Sequence, residues 1–276
     1  MGGGAIVVAP GAYDGLSARL VAQAGFPAVY ASGGAIARST GVPDIGLLTP
    51  DEIAWRLAEI VEAVTVPVIA DADTGYGNAL TAQRAARAFE RAGVAAFHIE
   101  DQTFPKKCGH YDDKALAPAA EMVARLHAVR DALHDSDFMV IARTDAIAVE
   151  GLEKALERAA LYLEAGADMS FVEAPTTEEQ IAAIAKRLSG YKLINMFHGG
   201  KTPLLPAARL QELGYHVVII PSDTQRAAIK AMQRVLAAIA RDGSAAAMIG
   251  DMASFQEREA VVDTAGYLAR DHQYGA

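Results

Sequence analysis

Short apolar runs return at regular intervals along this chain, each followed by an alanine-rich stretch whose apolar positions repeat with helical spacing. The runs predict strands at Ala5–Ala9, Ala28–Ser32, Pro67–Asp73, Ala95–Asp101, Phe138–Asp145, Met169–Ala174, Lys192–Phe197 and His216–Pro221. Most are continuous in Val, Ile, Ala and Phe rather than alternating, the pattern of parallel strands covered on both faces. Helices are predicted between them, among others over Thr81–Ala92, Ala119–Leu133, Leu152–Ala165 and Thr177–Leu188. Several end in a glycine that opens the turn into the next strand: Ala24-Gly25, Ala92-Gly93, Ala165-Gly166 and Leu213-Gly214.

Eight such units in 276 residues have the size and rhythm of a TIM (β/α)8 barrel, an α/β fold. A doubly wound sheet would announce a glycine-rich phosphate loop after its first strand, whereas the first run here leads into Pro10-Gly11-Ala12-Tyr13-Asp14. Thr224–Arg241 and Ser254–Arg270 read as helices beyond the eighth strand, more than a barrel needs to close, leaving a surplus to pack elsewhere, such as on another subunit. With no linker or low-complexity segment, the expected organisation is one barrel domain over 1–276, with a C-terminal helical extension from about 242 to 276.

Composition narrows the function. A hydrophobic content of 52% suits one large core. The excess of 34 acidic over 25 basic residues, without a basic run, argues against nucleic acid, but anionic small molecules stay open because a site can be locally positive. The single cysteine excludes an intrachain disulfide and any multi-cysteine metal site. No stretch approaches the ~18–20 apolar residues of a membrane span. Met1-Gly2-Gly3-Gly4 lacks the charged start and apolar core of a signal peptide, so a cytoplasmic protein is expected.

In such a barrel, function collects where strands run into the following loops. Polar residues gather there: Tyr30-Ala31-Ser32-Gly33-Gly34, Asp71-Ala72-Asp73, His98-Ile99-Glu100-Asp101, Arg143-Thr144-Asp145, Glu173 and Asn195-Met196-Phe197-His198. Asp71 and Asp73, two apart on a strand, project to one face. With Glu100 they form an oxygen-rich set suited to Mg²⁺, or Mn²⁺, although a lone D-x-D is commonly a solvated turn. Arg143 at the end of an apolar strand needs an anion, either Asp145 or a substrate carboxylate. Glu173 is a general base, a substrate contact or the ion-pair partner of Arg143. Ser32-Gly33-Gly34 can offer backbone N–H groups to an oxyanion. Cys108, in Pro105-Lys106-Lys107-Cys108-Gly109-His110, sits in an electropositive setting where a thiol can exchange its proton near neutrality. An isolated surface cysteine is the plainer alternative.

Taken together, Pro10-Gly11-Ala12-Tyr13-Asp14, Ala70-Asp71-Ala72-Asp73-Thr74-Gly75-Tyr76-Gly77-Asn78, His98-Ile99-Glu100-Asp101-Gln102, Lys106-Lys107-Cys108-Gly109-His110, Ile141-Ala142-Arg143-Thr144-Asp145-Ala146 and Gly199-Gly200-Lys201-Thr202-Pro203 resemble the isocitrate lyase / phosphoenolpyruvate mutase superfamily. Within it, the chain is most similar to the 2-methylisocitrate lyase-like and carboxyphosphonoenolpyruvate phosphonomutase-like branch. The resemblance runs from about Ala9 to beyond Pro221.

That resemblance implies a Mg²⁺-dependent enzyme acting on small carboxylates through an enolate-like (aci-carboxylate) intermediate. By motif position Asp71 and Asp73 would hold the metal, directly or through water, with Glu100 in the same shell. Tyr30, Ser32, Gly33 and Gly34 would grip the pyruvoyl end, and Asp44 would cover the site. Arg143, Glu173 and Asn195 would contact the substrate. Cys108 would protonate the departing carbanion, with Lys107 and His110 tuning it and Gly109 beside it on a loop that closes over the substrate. Helix-swapped homotetramers are typical of such proteins.

The chain departs from the family pattern in three places. His198 stands where the lyase-like members carry glutamate, Ile220-Pro221-Ser222 replaces Y-P-L, and the usual N-terminal helix is missing or reduced to Met1–Gly4. The first two bear on the substrate's distal group, which gives His198 a candidate binding role. The leading expectation is a lyase cleaving a carbon–carbon bond of a 2-hydroxy di- or tricarboxylate. A phosphonomutase, which would share the K-x-C-G-H loop, an oxaloacetate decarboxylase and a non-catalytic binding protein are the alternatives.

Overall fold

The computed structural model describes residues 4–109 and 113–275. Eight strands, β1 (Val7–Ala12), β2 (Val29–Ala31), β3 (Val68–Asp71), β4 (Ala96–Glu100), β5 (Met139–Thr144), β6 (Met169–Val172), β7 (Tyr191–Asn195) and β8 (Val217–Ile220), pair in parallel and in sequence order. β1 also pairs with β8, which closes the barrel, so the TIM-barrel expectation holds. β1 runs further than its sequence suggested. A proline has no N–H for the ladder and so ends a predicted strand; here Pro10 lies opposite Ile220, and Gly11 and Ala12 continue the pairing opposite Tyr30 and Ala31.

The helices of the barrel are α1 (Gly15–Gln23), α2 (Gly33–Ser39), α3 (Pro50–Glu62), α4 (Ala79–Ala92), α5 (Ala119–Arg130), α6 (Ile147–Glu150), α7 (Leu152–Glu164), α8 (Glu178–Arg187) and α9 (Ala207–Leu213). Local chemistry sets their ends. Thr49 and Glu52 form a capping box ahead of α3, with Pro50 in its first turn. Asn78 accepts the Leu80 and Thr81 N–H groups at the start of α4, and Gly93 ends that helix with a left-handed φ of 86°. α2 is an element the glycine-rich Ser32-Gly33-Gly34 concealed: Ser32 is its N-cap and accepts the Ala35 N–H.

Strand alternation sorts the core into two layers. Outward-facing Phe97, Ile99, Val140 and Ala142 pack with Leu57, Ile60, Phe89, Leu126 and Tyr162 of the helices. Inward-facing Tyr30, Ile69, Ile141, Phe171, Leu193 and Ile219 fill the barrel. The inward rows of β2 to β7 lead to polar residues at the strands' C-terminal ends, Ser32, Asp71, Glu100, Arg143, Glu173 and Asn195, and these residues make the site.

The chain divides into two compact units, 1–223 and 224–276. The second unit holds nearly all of α10 (Asp223–Asp242), a 3-10 turn at Ala246–Asp251, α11 (Phe255–Val261) and α12 (Thr264–Gln273). Large apolar side chains such as Ile249 (77%) and Phe255 (70%) are exposed there. Among the described residues no helix is long and apolar enough to cross a membrane.

Candidate active site

Register brings the polar strand ends together. Asp71 lies beside His98 across β3 and β4, and Glu100 beside Arg143 across β4 and β5. His98 and Glu100, two apart, both point into the barrel. The Tyr30 hydroxyl is 2.8 Å from His98 Nε2 and donates to Asp71 Oδ2 at 3.4 Å. The Asp73 N–H donates to Asp71 Oδ1.

Arg143 is the centre of the arrangement. Its Nε lies 2.9 Å from Asp145 Oδ2, 3.2 Å from Glu100 Oε2 and 3.7 Å from Glu173 Oε2. The guanidinium also faces the Phe171 ring at 5.2 Å. Asn195 Nδ2 donates to Glu173 Oε1 at 3.4 Å, completing the expected set of Arg143, Glu173 and Asn195.

The loop after β4 folds onto this centre. The Lys107 N–H donates to Gln102 Oε1 at 3.0 Å and Gln102 Nε2 donates to the Lys107 carbonyl at 2.9 Å, which fixes the loop's base. A Cβ added to Gly109 would stand 2.3 Å from Arg143 Nη2 and 2.9 Å from Glu173 Cγ, so only glycine lets the backbone come this close. Cys108, next to it, is half-buried. The two neighbouring lysines have different fates. Lys106 is buried and its ammonium bridges Asp44 Oδ1 (2.5 Å) and Asp73 Oδ1 (2.8 Å). Lys107, the expected tuning residue, is half-exposed and pairs with Asp113 at the surface. His110 lies outside the described residues.

The remaining expected contacts divide as well. A Cβ on Gly33 would stand 2.8 Å from Asp71 Oδ2, so the start of α2 approaches the β3 carboxylate closely. Gly34 approaches Asp44 in the same way. Ser32 is buried at the N-cap, its hydroxyl engaged by Ala35 N–H. His198 is exposed on the turn that follows β7.

Burial and charge pull the carboxylates apart. Burial alone would push Asp71 up, but His98, Lys106, Arg143 and the Asp73 N–H together hold it down at about 2. Asp73 is pushed up to about 6 by burial and by Asp71 and Asp44, against the opposing pull of Lys106. Burial drives Glu100 up strongly, reinforced by Asp145 and Asp73. His98 falls to about 4, because burial and the cations Arg143 and Lys106 outweigh Asp71 and Glu173. His98 is therefore neutral at pH 7.

The donor set fits a hard divalent cation. Glu100 Oε1 is buried with no hydrogen-bond partner among the described residues, while Glu100 Oε2 faces Arg143 Nε at 3.2 Å and Asp73 Oδ1 faces the Lys106 ammonium at 2.8 Å. Among the described residues no three carboxylate, histidine or cysteine side chains converge tightly enough to ligate an ion by themselves. Backbone strain marks the same region: Asp73 (φ 46°) and Tyr76 (φ 63°) after β3, and Ala174 (φ 59°) after β6, occupy the left-handed region as non-glycine residues.

Behind the mouth, Asp101 is fully buried and collects donors from several elements. Its Oδ1 accepts the Asp145 N–H (2.9 Å), and its Oδ2 accepts Thr144 Oγ1 (2.7 Å), the Tyr162 hydroxyl (2.9 Å) and Arg158 Nη1 (3.4 Å). The strand end that carries Arg143 and Asp145 is thereby tied to α7. The sequence drew attention to neither Lys106 nor Lys114 as a site residue. His98 was discoverable, since it shares the inward face of β4 with Glu100.

Barrels of this kind do their chemistry at the C-terminal ends of their strands, and the convergence around Arg143 marks this chain as such an enzyme. Its kinship can be stated more closely. Residues 2–240 match the model of the phosphoenolpyruvate phosphomutase family, and the chain belongs to that family. It is 44% identical to 2,3-dimethylmalate lyase of Eubacterium barkeri, over 98% of this chain and 93% of the relative. It is 48% identical to 2-methylisocitrate lyase of Aeropyrum pernix, over 87% of this chain and 77% of the relative. A crystal structure of 2,3-dimethylmalate lyase, described as a member of the PEP mutase/isocitrate lyase superfamily, superposes with a TM-score of 0.94 at 37% identity, covering 99% of this chain and 91% of the other.

Proposed function

We propose that this chain is a Mg²⁺-dependent carbon–carbon lyase that cleaves a 2-hydroxy di- or tricarboxylate into a 2-oxoacid, such as pyruvate, and a second carboxylate. The observation that carries this reading is the seating of the Gly109 backbone, next in sequence to Cys108, against Arg143 and Glu173. That puts the thiol-bearing residue one peptide from the backbone that approaches the carboxylate-binding arginine, where an acid for a leaving carbanion is required.

Arg143 and Asn195 bind and orient the substrate, with Tyr30 and the start of α2 at its 2-oxoacid end. Glu173 takes the proton of the 2-hydroxyl. The oxygen's electron pair becomes the new carbonyl as the carbon–carbon bond breaks, and the bond's electrons pass to the carbon beside the leaving carboxylate. Cys108 donates its proton there, and the thiolate recovers one through solvent from Glu173. Asp71, Asp73 and Glu100 would hold Mg²⁺, in part through water, and the ion when bound polarises the developing carbonyl. The loop that carries His198 is assigned to the substrate's distal group.

The test is a panel of 2,3-dimethylmalate, 2-methylisocitrate and oxaloacetate, read by pyruvate release or loss of substrate. Cys108→Ser should lower kcat by about 10²–10⁴-fold while binding of oxalate, a planar enolate mimic, persists. Undiminished turnover in that variant would remove Cys108 from the mechanism. The family model's own description supports a second reading, a phosphonomutase. A new carbon–phosphorus resonance in ³¹P NMR from a phosphoenolpyruvate-type substrate would favour it over the lyase. The homotetramer is also part of the proposal, supported by the exposed apolar side chains of the second unit. A monomer in light scattering would count against it.

A further inference from the structure

Lys114 is a buried cation that the chemistry above leaves unused. In sequence it follows Asp112-Asp113 and looks like part of a solvated charge run, yet its side chain is 0% exposed. Its ammonium donates to two different elements. One acceptor is the Gly109 carbonyl, at 2.5 Å, on the loop after β4. The other is Asp145 Oδ1, at 2.7 Å, at the end of β5. That same oxygen accepts Arg143 Nη2 at 3.2 Å, and the other carboxylate oxygen accepts Arg143 Nε at 2.9 Å. One carboxylate therefore joins the anchor of the loop to the arginine that faces the substrate.

The tolerance here is small. Gly109 already lies so close to Arg143 and Glu173 that an added methyl group could not fit. Cys108 is one peptide away, so a displaced Gly109 carries the thiol with it. Burying an ammonium is costly unless its donors are met, and an apolar side chain would fill the same space without that cost. Neutralising Asp145 does not require Lys114 either, because Arg143 already contacts both of its oxygens. Among the described residues, it is Lys114 that supplies the link to the Gly109 carbonyl.

We propose that Lys114 is a positioning residue: by holding the Gly109 carbonyl and Asp145 together, it fixes the Cys108 thiol relative to the substrate carboxylate bound by Arg143. This rests on Cys108 being the acid of the proposed cleavage. It is tested on the full chain with Mg²⁺, comparing wild type with Lys114→Met and Lys114→Arg. Because the chain has one cysteine, iodoacetamide labelling reports Cys108 alone.

In wild type, oxalate with Mg²⁺ should slow the labelling. In Lys114→Met that protection should be lost although oxalate still binds by calorimetry. Turnover should fall by about 100-fold in kcat, the scale of an ångström-level misplacement. KM should stay within about threefold, because the substrate contacts themselves remain. Lys114→Arg should restore part of both the protection and kcat. Retained protection in Lys114→Met, or a loss of thermal stability with kcat unchanged, would overturn the proposal. Should Lys114→Met be insoluble, Lys114→Gln, which can donate to one acceptor but not bridge both with a charge, is read in the same way. Absence of cleavage in wild type would defeat the proposed reaction, whereas the labelling contrast still decides whether Lys114 seats the loop.

Discussion

Asp101 offers a sharp test of how the catalytic strand end is held. In Asp101→Asn the side-chain oxygen can still accept the Asp145 N–H, which the aspartate binds at 2.9 Å. The new NH₂ then faces Thr144 Oγ1, the Tyr162 hydroxyl and Arg158 Nη1. The hydroxyls can rotate to accept. Arg158 cannot, but it keeps the Ala117 carbonyl at 3.0 Å and two bonds to Glu150 at 2.8 Å. The loss therefore amounts to about one charge-assisted hydrogen bond, about 1.5–3 kcal/mol. Asp101→Ala is worse, since it strands the buried Asp145 N–H and the Thr144 hydroxyl, and a broken buried network of this kind costs about 3–5 kcal/mol. Urea unfolding followed by circular dichroism measures both. In thermal melts each kcal/mol should appear as about 2–4 °C. An alanine variant as stable as the asparagine variant would refute the view that Asp101 acts as a collector of donors.

Two further outcomes follow from the mouth. Gly109→Ala puts a methyl carbon 2.3 Å from Arg143 Nη2, so the loop should fail to seat and kcat should fall by about 100-fold, with little change in melting temperature; normal turnover would show that the close approach is dispensable. Asp73 is raised to about 6 from an ordinary value of 3.8, so the folded state binds its proton more tightly than the unfolded state does. Its contribution to stability is full below about pH 4 and is lost as pH rises through about 6. Without divalent cations, the stability of wild type relative to Asp73→Asn should therefore fall as pH rises from about 4 to 7. A difference that stays flat with pH would remove the raised carboxyl from the account.

The barrel was readable because parallel strands covered on both faces leave uninterrupted apolar runs, and because glycines mark the ends of the preceding helices. The site carboxylates were readable for a related reason: Asp71, Glu100 and Arg143 are charges at the ends of such runs, where burial demands a partner. Lysines were harder. Lys106 and Lys107 are neighbours of identical type, and only the path of the backbone sends one to Asp44 and Asp73 and the other to Asp113 at the surface. Lys114 was hidden among acidic residues that suggested solvent. α2 was missed because a glycine pair favours a turn by propensity, while the Ser32 cap and packing against Asp71 favour a helix.

The left-handed residues after β3 and β6 carry a consequence for how this enzyme can change. Asp73, Tyr76 and Ala174 each occupy a conformation that glycine would adopt freely, at about 1–3 kcal/mol of strain apiece. Selection for a more robust barrel would favour glycine at all of them. At Asp73 that change would delete a carboxylate of the mouth, and at Ala174 it would loosen the backbone just after Glu173. Durability and catalysis thus pull on the same backbone torsions in opposite directions, and three of the four left-handed non-glycine residues among the described residues lie where the substrate would bind.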